Sequence, residues 1–112
     1  VGIVIVDDSA TNLIVLKRLA QTTCEVPVLT FTSALAGIEF LAGNAASLIL
    51  VDCEMPDMDG IQFISTVRSQ WHHAVTPIIM VTRHTASDIR QKALMAGANE
   101  FLSKPLNSAE FK

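Results

Sequence analysis

The chain has 112 residues, of which 50% are hydrophobic and only 17% charged; this excludes a disordered segment, which pairs low hydrophobicity with high net charge, and gives the length of one domain. Eight basic residues against eleven acidic ones leave a net charge of −3, so no basic excess draws the chain onto nucleic acid and no direct nucleic-acid binding is expected. The apolar runs are far shorter than the roughly 18 residues of a membrane span, and Cys24 and Cys53 have neither metal-ligand spacing nor the density of a cysteine-stapled scaffold, so a reduced, cytoplasmic setting without membrane insertion is expected.

Apolar, β-branched runs alternate with helical patterns along the chain. Ile3-Val4-Ile5-Val6 is the first run. Residues 11–22 follow as a helix, with Leu13, Leu16 and Ala20 on one face and Lys17 and Arg18 outside it. Residues 26–31 are a weaker strand. Residues 33–41 form a helix that starts at the good cap Ser33 and ends before Gly43. Ser47-Leu48-Ile49-Leu50-Val51 is the third strand, and residues 60–70 carry Ile61, Ile64 and Val67 at helical spacing. Pro77-Ile78-Ile79-Met80-Val81 is the fourth strand. Residues 87–96 form a helix opened by Ser87-Asp88 and stopped by Gly97. A short strand over residues 100–103 has Phe101-Leu102 as its apolar centre, and Asn107-Ser108 caps a last helix cut short at Lys112. Continuous apolar runs suit strands buried on both faces of a parallel sheet. Five β-α repeats with right-handed crossovers make a helix-covered α/β sheet. Val1 falls inside an apolar run and is not a start methionine, so residues 1–112 are expected to be one domain cut from a longer protein.

In such sheets ligands sit beyond the carboxyl ends of the strands. The first strand ends in Asp7-Asp8, the third in Asp52, the fourth in Thr82 and the fifth in Lys104-Pro105; the second ends in Thr30-Phe31-Thr32, without charge. Two carboxylates about 5 Å apart repel by roughly 3 kcal/mol at an effective dielectric of about 20. If Asp7, Asp8 and Asp52 converge, Lys104 offsets only part of that repulsion, and a divalent cation neutralises the rest. Carboxylates suit a hard cation, and Mg²⁺ keeps water and phosphate oxygens among its ligands. A phosphoryl group fits such a site: the cation, Lys104, the Thr82 hydroxyl and backbone amides after Asp52 would stabilise its oxygens. Asp52 is the natural nucleophile, because carboxylates form aspartyl-phosphates, while the adjacent Asp7 and Asp8 are better placed to hold metal.

These residues resemble the receiver domain of two-component response regulators. The resemblance rests on IVIVDDS, LILVDCEMPDMDG, PIIMVT and AGANEFLSKPL, in that order, and covers essentially the whole chain. It implies a flavodoxin-like, doubly wound, five-stranded parallel sheet of order 2-1-3-4-5 with its last helix truncated. It implies that Asp52 is the phosphoacceptor, and that Asp7, Asp8, Asp52 and the backbone carbonyl of Glu54 bind Mg²⁺. Thr82 would move onto the phosphoryl group, Lys104 would pair with it, and the Lys104–Pro105 peptide would be cis. Phe101 occupies the switch-aromatic position, and Glu54 and His84 lie where they would influence phosphate lifetime. The implied partners are a histidine kinase or histidine phosphotransfer protein and an output domain or partner protein, and a homodimer is compatible with the apolar surface left by the cut helix. The domain itself would be no enzyme beyond catalysing its own phosphorylation and dephosphorylation. The opening DDSATNLIVLKRL leans toward receivers of hybrid kinases and nucleotide-second-messenger regulators.

Other readings stand beside this one. Acidic pairs often sit in solvated turns, and a complete acidic site can belong to a receiver-like scaffold that binds partners without phosphorylation. A haloacid-dehalogenase-type phosphatase also uses an aspartyl-phosphate and Mg²⁺, but places nucleophile and acid two residues apart, whereas the first strand here ends Asp7-Asp8-Ser9. A flavin-binding protein would need a Ser/Thr-rich phosphate loop after that strand. Pro56 and Gly60 read as shapers of the MPDMDG loop, Met55 and Met58 as packing beneath it, and Cys53 as facing a buried side of the sheet. His72 and His73 beside Trp71 read as surface residues of a connection.

Overall fold

The run of strand and helix patterns is realised as a single parallel sheet in the computed structural model, which describes residues 2–23, 27–52, 55, 58–70, 73, 76–82 and 87–103. In chain order the described elements are β1 (Gly2–Val6), α1 (Ala10–Thr23), β2 (Val28–Phe31), α2 (Ala34–Gly43), β3 (Ala46–Val51), α3 (Gly60–Arg68), β4 (Ile78–Thr82), α4 (Ser87–Ala96) and β5 (Glu100–Ser103). The strands lie in the order β2-β1-β3-β4-β5, and all four pairings are parallel. This is the doubly wound topology that the resemblance implies. The expected last helix at Asn107-Ser108 lies outside the described residues.

The central strands are apolar over most of their length because each face is covered. Val4 and Val6 of β1, Ile49 and Val51 of β3, and Ile78 and Met80 of β4 point to one side. There they meet Ala34 and Leu41 of α2, Phe63, Ile64 and Val67 of α3, and Ala93 of α4. Ile3, Ile5, Leu50 and Val81, one residue out of phase, point to the other side and meet Leu13, Leu16 and Ala20 of α1. A side-chain period of two thus feeds two cores from the same strands. Each fully buried large apolar side chain contributes roughly 1.5–3 kcal/mol, so the alternation fixes both register and helix placement. β2 and β5 are the edge strands; in β2 Val28 is buried, Leu29 and Thr30 are exposed, and Phe31 packs on Phe40 of α2 with ring centroids 5.4 Å apart.

Helix ends follow local chemistry, with one departure from expectation at the end of α2. The Ala36 amide donates to Ser33 Oγ, and the Gln62 amide donates to Asp59 Oδ1, so both side chains cap their helices. α4 ends in a Schellman arrangement: Gly97, at φ +123°, donates to Leu94 O, and Ala98 donates to Ala93 O. α2 does not stop before Gly43 but runs through it to Asn44. The Asn44 side-chain amide donates to Phe40 O at 2.8 Å, and the turn proceeds at negative φ, so no glycine is needed there. In α3 the buried stripe is Gly60, Phe63, Ile64 and Val67, and Ile61 is half-buried against the same core, so the expected inner face of Ile61, Ile64 and Val67 is met and Phe63 adds to it.

Candidate functional site

Parallel strands deliver their carboxyl ends to one rim, and the acidic residues sit there. The Asp7 amide donates to Phe31 O at 3.1 Å, and the Asp52 amide donates to Val6 O at 3.0 Å. The ladder therefore extends one rung past β1 and β3 and fixes both aspartates at the same level. Beyond Asp7 the chain turns at once into α1. The Ser9 amide donates to Asp7 Oδ1 at 2.9 Å, and Ser9 caps the helix by accepting from the Asn12 amide at 3.3 Å. The tight turn puts Asp8 next to Asp7 on the rim.

Asp7, Asp8 and Asp52 each bring one carboxylate oxygen to within 4.8 Å of the others. Asp7 is 1% exposed, Asp52 is half-buried and Asp8 is exposed. The set is thus closed on the protein side and open toward solvent. At this separation each pair of charges repels by roughly 3 kcal/mol at an effective dielectric of about 20, less where Asp8 is bathed in water. Three hard oxygen donors around one point, with an open side, match a small divalent cation that keeps water or phosphate oxygens as further ligands. The donor chemistry of the site fits Mg²⁺.

Gly60, the first residue of α3, lies directly against this rim. A side chain there would overlap the Asp52 carbonyl and approach Met80 Cε at 2.9 Å. The loop-shaping role expected for Gly60 therefore has a more specific form: its bare backbone lets α3 seat on the end of β3. Met55 is buried and Met58 half-buried, both packed with the core that α3 covers, as expected.

The other expected residues divide by location. Thr82 is the last residue of β4, in register with Ser103 of β5; its backbone is described and its side chain is not. Phe101 pairs with Met80 across the β4–β5 ladder and is partly buried against the α2–α3–α4 core. Glu54, His84, Lys104 and Pro105 lie outside the described residues, as do Cys53, Pro56, Trp71 and His72.

His73 corrects the surface reading. Its ring is fully buried. Nε2 lies 2.8 Å from Leu41 O and 3.1 Å from Asn44 O, and Nδ1 lies 3.1 Å from Thr76 Oγ1. An imidazole with partners on both nitrogens can be buried at little cost, and here it ties the end of α2 to the lead-in of β4. Arg68 also carries no signal in the sequence. Its guanidinium donates to Gly97 O at 3.0 and 2.8 Å, to His73 O at 2.7 Å and to Asn99 Oδ1 at 2.7 Å. Burial lowers its pKa from the ordinary arginine value.

Comparison with known proteins agrees with this geometry. Residues 3–112 match the response regulator receiver domain family. The hybrid signal transduction histidine kinase L of Dictyostelium discoideum is 35% identical over 98% of this chain, which spans 7% of that protein. The cyclic di-GMP phosphodiesterase response regulator RpfG of Xanthomonas campestris pv. campestris is 34% identical over 99% of this chain and 30% of its own length. The chain thus spans less than a third of either relative. Among solved structures, chemotaxis protein CheY4 of Vibrio cholerae superimposes with a TM-score of 0.91 at 27% identity, covering 98% of this chain and 91% of that one. The receiver domain of sensor histidine kinase PA1611 from Pseudomonas aeruginosa, solved with a magnesium ion coordinated in its active site cleft, gives 0.89 at 26% identity, covering 98% and 89%. The order of the strands, the acidic rim and the match over nearly the whole length lead to one conclusion: the chain belongs to the response regulator receiver domain family.

Proposed function

We propose that this domain is a phosphoacceptor switch in which Asp52 receives a phosphoryl group from the phosphohistidine of a histidine kinase or a histidine phosphotransfer protein. The observation that carries this reading is the meeting of three carboxylate oxygens within 4.8 Å at the ends of adjacent strands. Asp7, Asp8 and Asp52, with the backbone carbonyl of Glu54, would hold Mg²⁺. When bound, the cation supplies neutralising charge to the acidic rim and to the oxygens of the incoming phosphoryl group.

In the transfer an oxygen of the Asp52 carboxylate attacks phosphorus, the phosphorus–nitrogen bond to the donor imidazole breaks, and its electron pair returns to the imidazole. Asp7 keeps its orientation through the Ser9 amide, so the turn is organised before the donor arrives. Thr82 and Lys104 would bind the new phosphoryl oxygens, with a cis Lys104–Pro105 peptide aiming the lysine. Phe101, half-buried beside Met80, would follow Thr82 inward. The surface of α4 and β5, where Leu94 and Met95 are exposed, would then change for an output domain, a partner protein or a second copy. Only about 1.4 kcal/mol of differential interaction makes the active state tenfold more populated. Glu54 and His84 would set the lifetime of the phosphate.

The short spans of the relatives matched support residues 1–112 as one receiver unit of a longer protein. Among the described residues no helix is long and apolar enough to cross a membrane. Incubation with acetyl phosphate tests the reading. The wild-type domain should take up one phosphoryl group only with Mg²⁺ present, and Asp52→Asn should take up none. Equal uptake by the Asn variant would remove Asp52 from the role.

A further inference from the structure

The sequence places glycine at the first position of α3, where no turn geometry calls for it. Gly60 is fully enclosed, and a Cβ built on it would overlap the carbonyl oxygen of Asp52, lie 3.0 Å from the carbonyl carbon of Asp52 and 2.9 Å from Met80 Cε. The Met80 methyl is the end of a flexible thioether and can swing away. The Asp52 carbonyl is backbone and moves only if the peptide itself turns.

Neither side of this contact has slack. α3 is held down by Phe63, Ile64 and Val67, all fully buried, and its start is fixed by the Gln62 amide on Asp59 Oδ1 at 2.8 Å. Asp52 is tied in turn to β1 through its amide on Val6 O. The peptide of Asp52 is therefore gripped between a strand and a helix end, and its carboxylate hangs from the atom between those two grips. A methyl group at position 60 must rotate the Asp52 carbonyl, and rotation there carries the carboxylate away from Asp7 and Asp8.

We infer that Gly60 is a positioning residue for Asp52: its missing side chain lets α3 seat against the Asp52 peptide and holds that carboxylate in the metal-binding, phosphoryl-accepting arrangement. This rests on the reading of Asp52 given above.

The experiment compares Gly60→Ala with Gly2→Ala. A Cβ at Gly2 meets the backbone carbonyl of Pro27 at 2.5 Å, a similarly severe clash at the opposite end of β1 from the acidic rim. Mg²⁺ affinity is measured by calorimetry, and the Mg²⁺ dependence of acetyl phosphate labelling alongside it, at a temperature where each variant is folded by circular dichroism. Gly60→Ala should weaken Mg²⁺ binding by about tenfold or more, the range seen when residues that orient a metal ligand are altered. Gly2→Ala should stay within about twofold of wild type although it too loses thermal stability. The pair Gly60→Ala with Met80→Ala should remain weak, because the carbonyl contact persists after the methyl is cleared. Wild-type affinity in Gly60→Ala, or its restoration in the double variant, overturns the inference while leaving Asp52 as acceptor. Failure of the wild-type domain to bind Mg²⁺ or to label overturns the reading of Asp52 itself, and the inference with it.

Discussion

The Asp52 amide donates to the Val6 carbonyl at 3.0 Å, one rung beyond the pairing of Val6 with Val51. That bond places the residues following β1 and β3 side by side at the rim. Neighbouring strands lie about 4.8 Å apart, and the carboxylate oxygens of Asp7, Asp8 and Asp52 lie within 4.8 Å of one another. The acidic cluster is thus a direct consequence of strand order: β1 and β3 are adjacent because β2 pairs on the far side of β1.

Like charges at that spacing are a standing cost to the metal-free fold. Asp8→Asn should therefore raise the stability of the domain in chelator by about 1 kcal/mol, the full Coulomb figure being reduced because Asp8 is exposed. That corresponds to a rise in melting temperature of about 5 °C for a domain of this size. The same variant should lose most of the stabilisation that millimolar Mg²⁺ gives the wild type, since a ligand stabilises only the state that binds it. Paired thermal melts with and without Mg²⁺ check both signs; a variant less stable than wild type in chelator would remove the repulsion argument.

His73→Ala should cost about 3 kcal/mol in urea unfolding. The change empties a fully buried site and leaves the carbonyls of Leu41 and Asn44 without the imidazole that now contacts them. The loss lies where α2 ends and β3 and β4 begin, at the opposite ends of the strands from the acidic rim, so Mg²⁺ affinity should be unchanged. A loss below about 1 kcal/mol would mean that the ring is not buried as described.

Much of the fold was legible because it depends on patterns that are local in the chain. β1, β3 and β4 are unbroken apolar runs, and Ser33, Asp88 and Gly97 mark helix ends by their own chemistry. The three aspartates could be brought together from topology alone, since parallel strands must end at one rim. What escaped depends on partners distant in sequence. Nothing near His73 announces the carbonyls of Leu41 and Asn44, and nothing near Gly60 announces the Asp52 peptide or Met80. The stripe of Ile61, Ile64 and Val67 on α3 is legible from its helical spacing, and all three pack on the core; Phe63, the largest fully buried side chain of that helix, joins them without being marked by the pattern.

Arg68 gathers the ends of three elements, donating to Gly97 O, His73 O and Asn99 Oδ1, while Asn99 Oδ1 also accepts from the Ile78 amide. Arg68→Met should cost about 2–3 kcal/mol, as expected for several hydrogen bonds to a partly buried charge. Arg68→Lys should recover less than half of that, because a single ammonium cannot span the carbonyls that the guanidinium fork reaches. Urea titrations of the three proteins with equal slopes decide the point; a lysine variant as stable as wild type would show that charge alone suffices.

The most direct measurement is the chemical trapping of the acceptor. The wild-type domain is treated with acetyl phosphate and Mg²⁺, reduced with borohydride, and digested for mass spectrometry. An aspartyl-phosphate is reduced to homoserine, so the peptide containing residue 52 should carry homoserine there, and it should be unmodified when Mg²⁺ is withheld. Homoserine at position 7 or 8, or its absence from every aspartate with Mg²⁺ present, would contradict the assignment of Asp52 as the group that accepts phosphate.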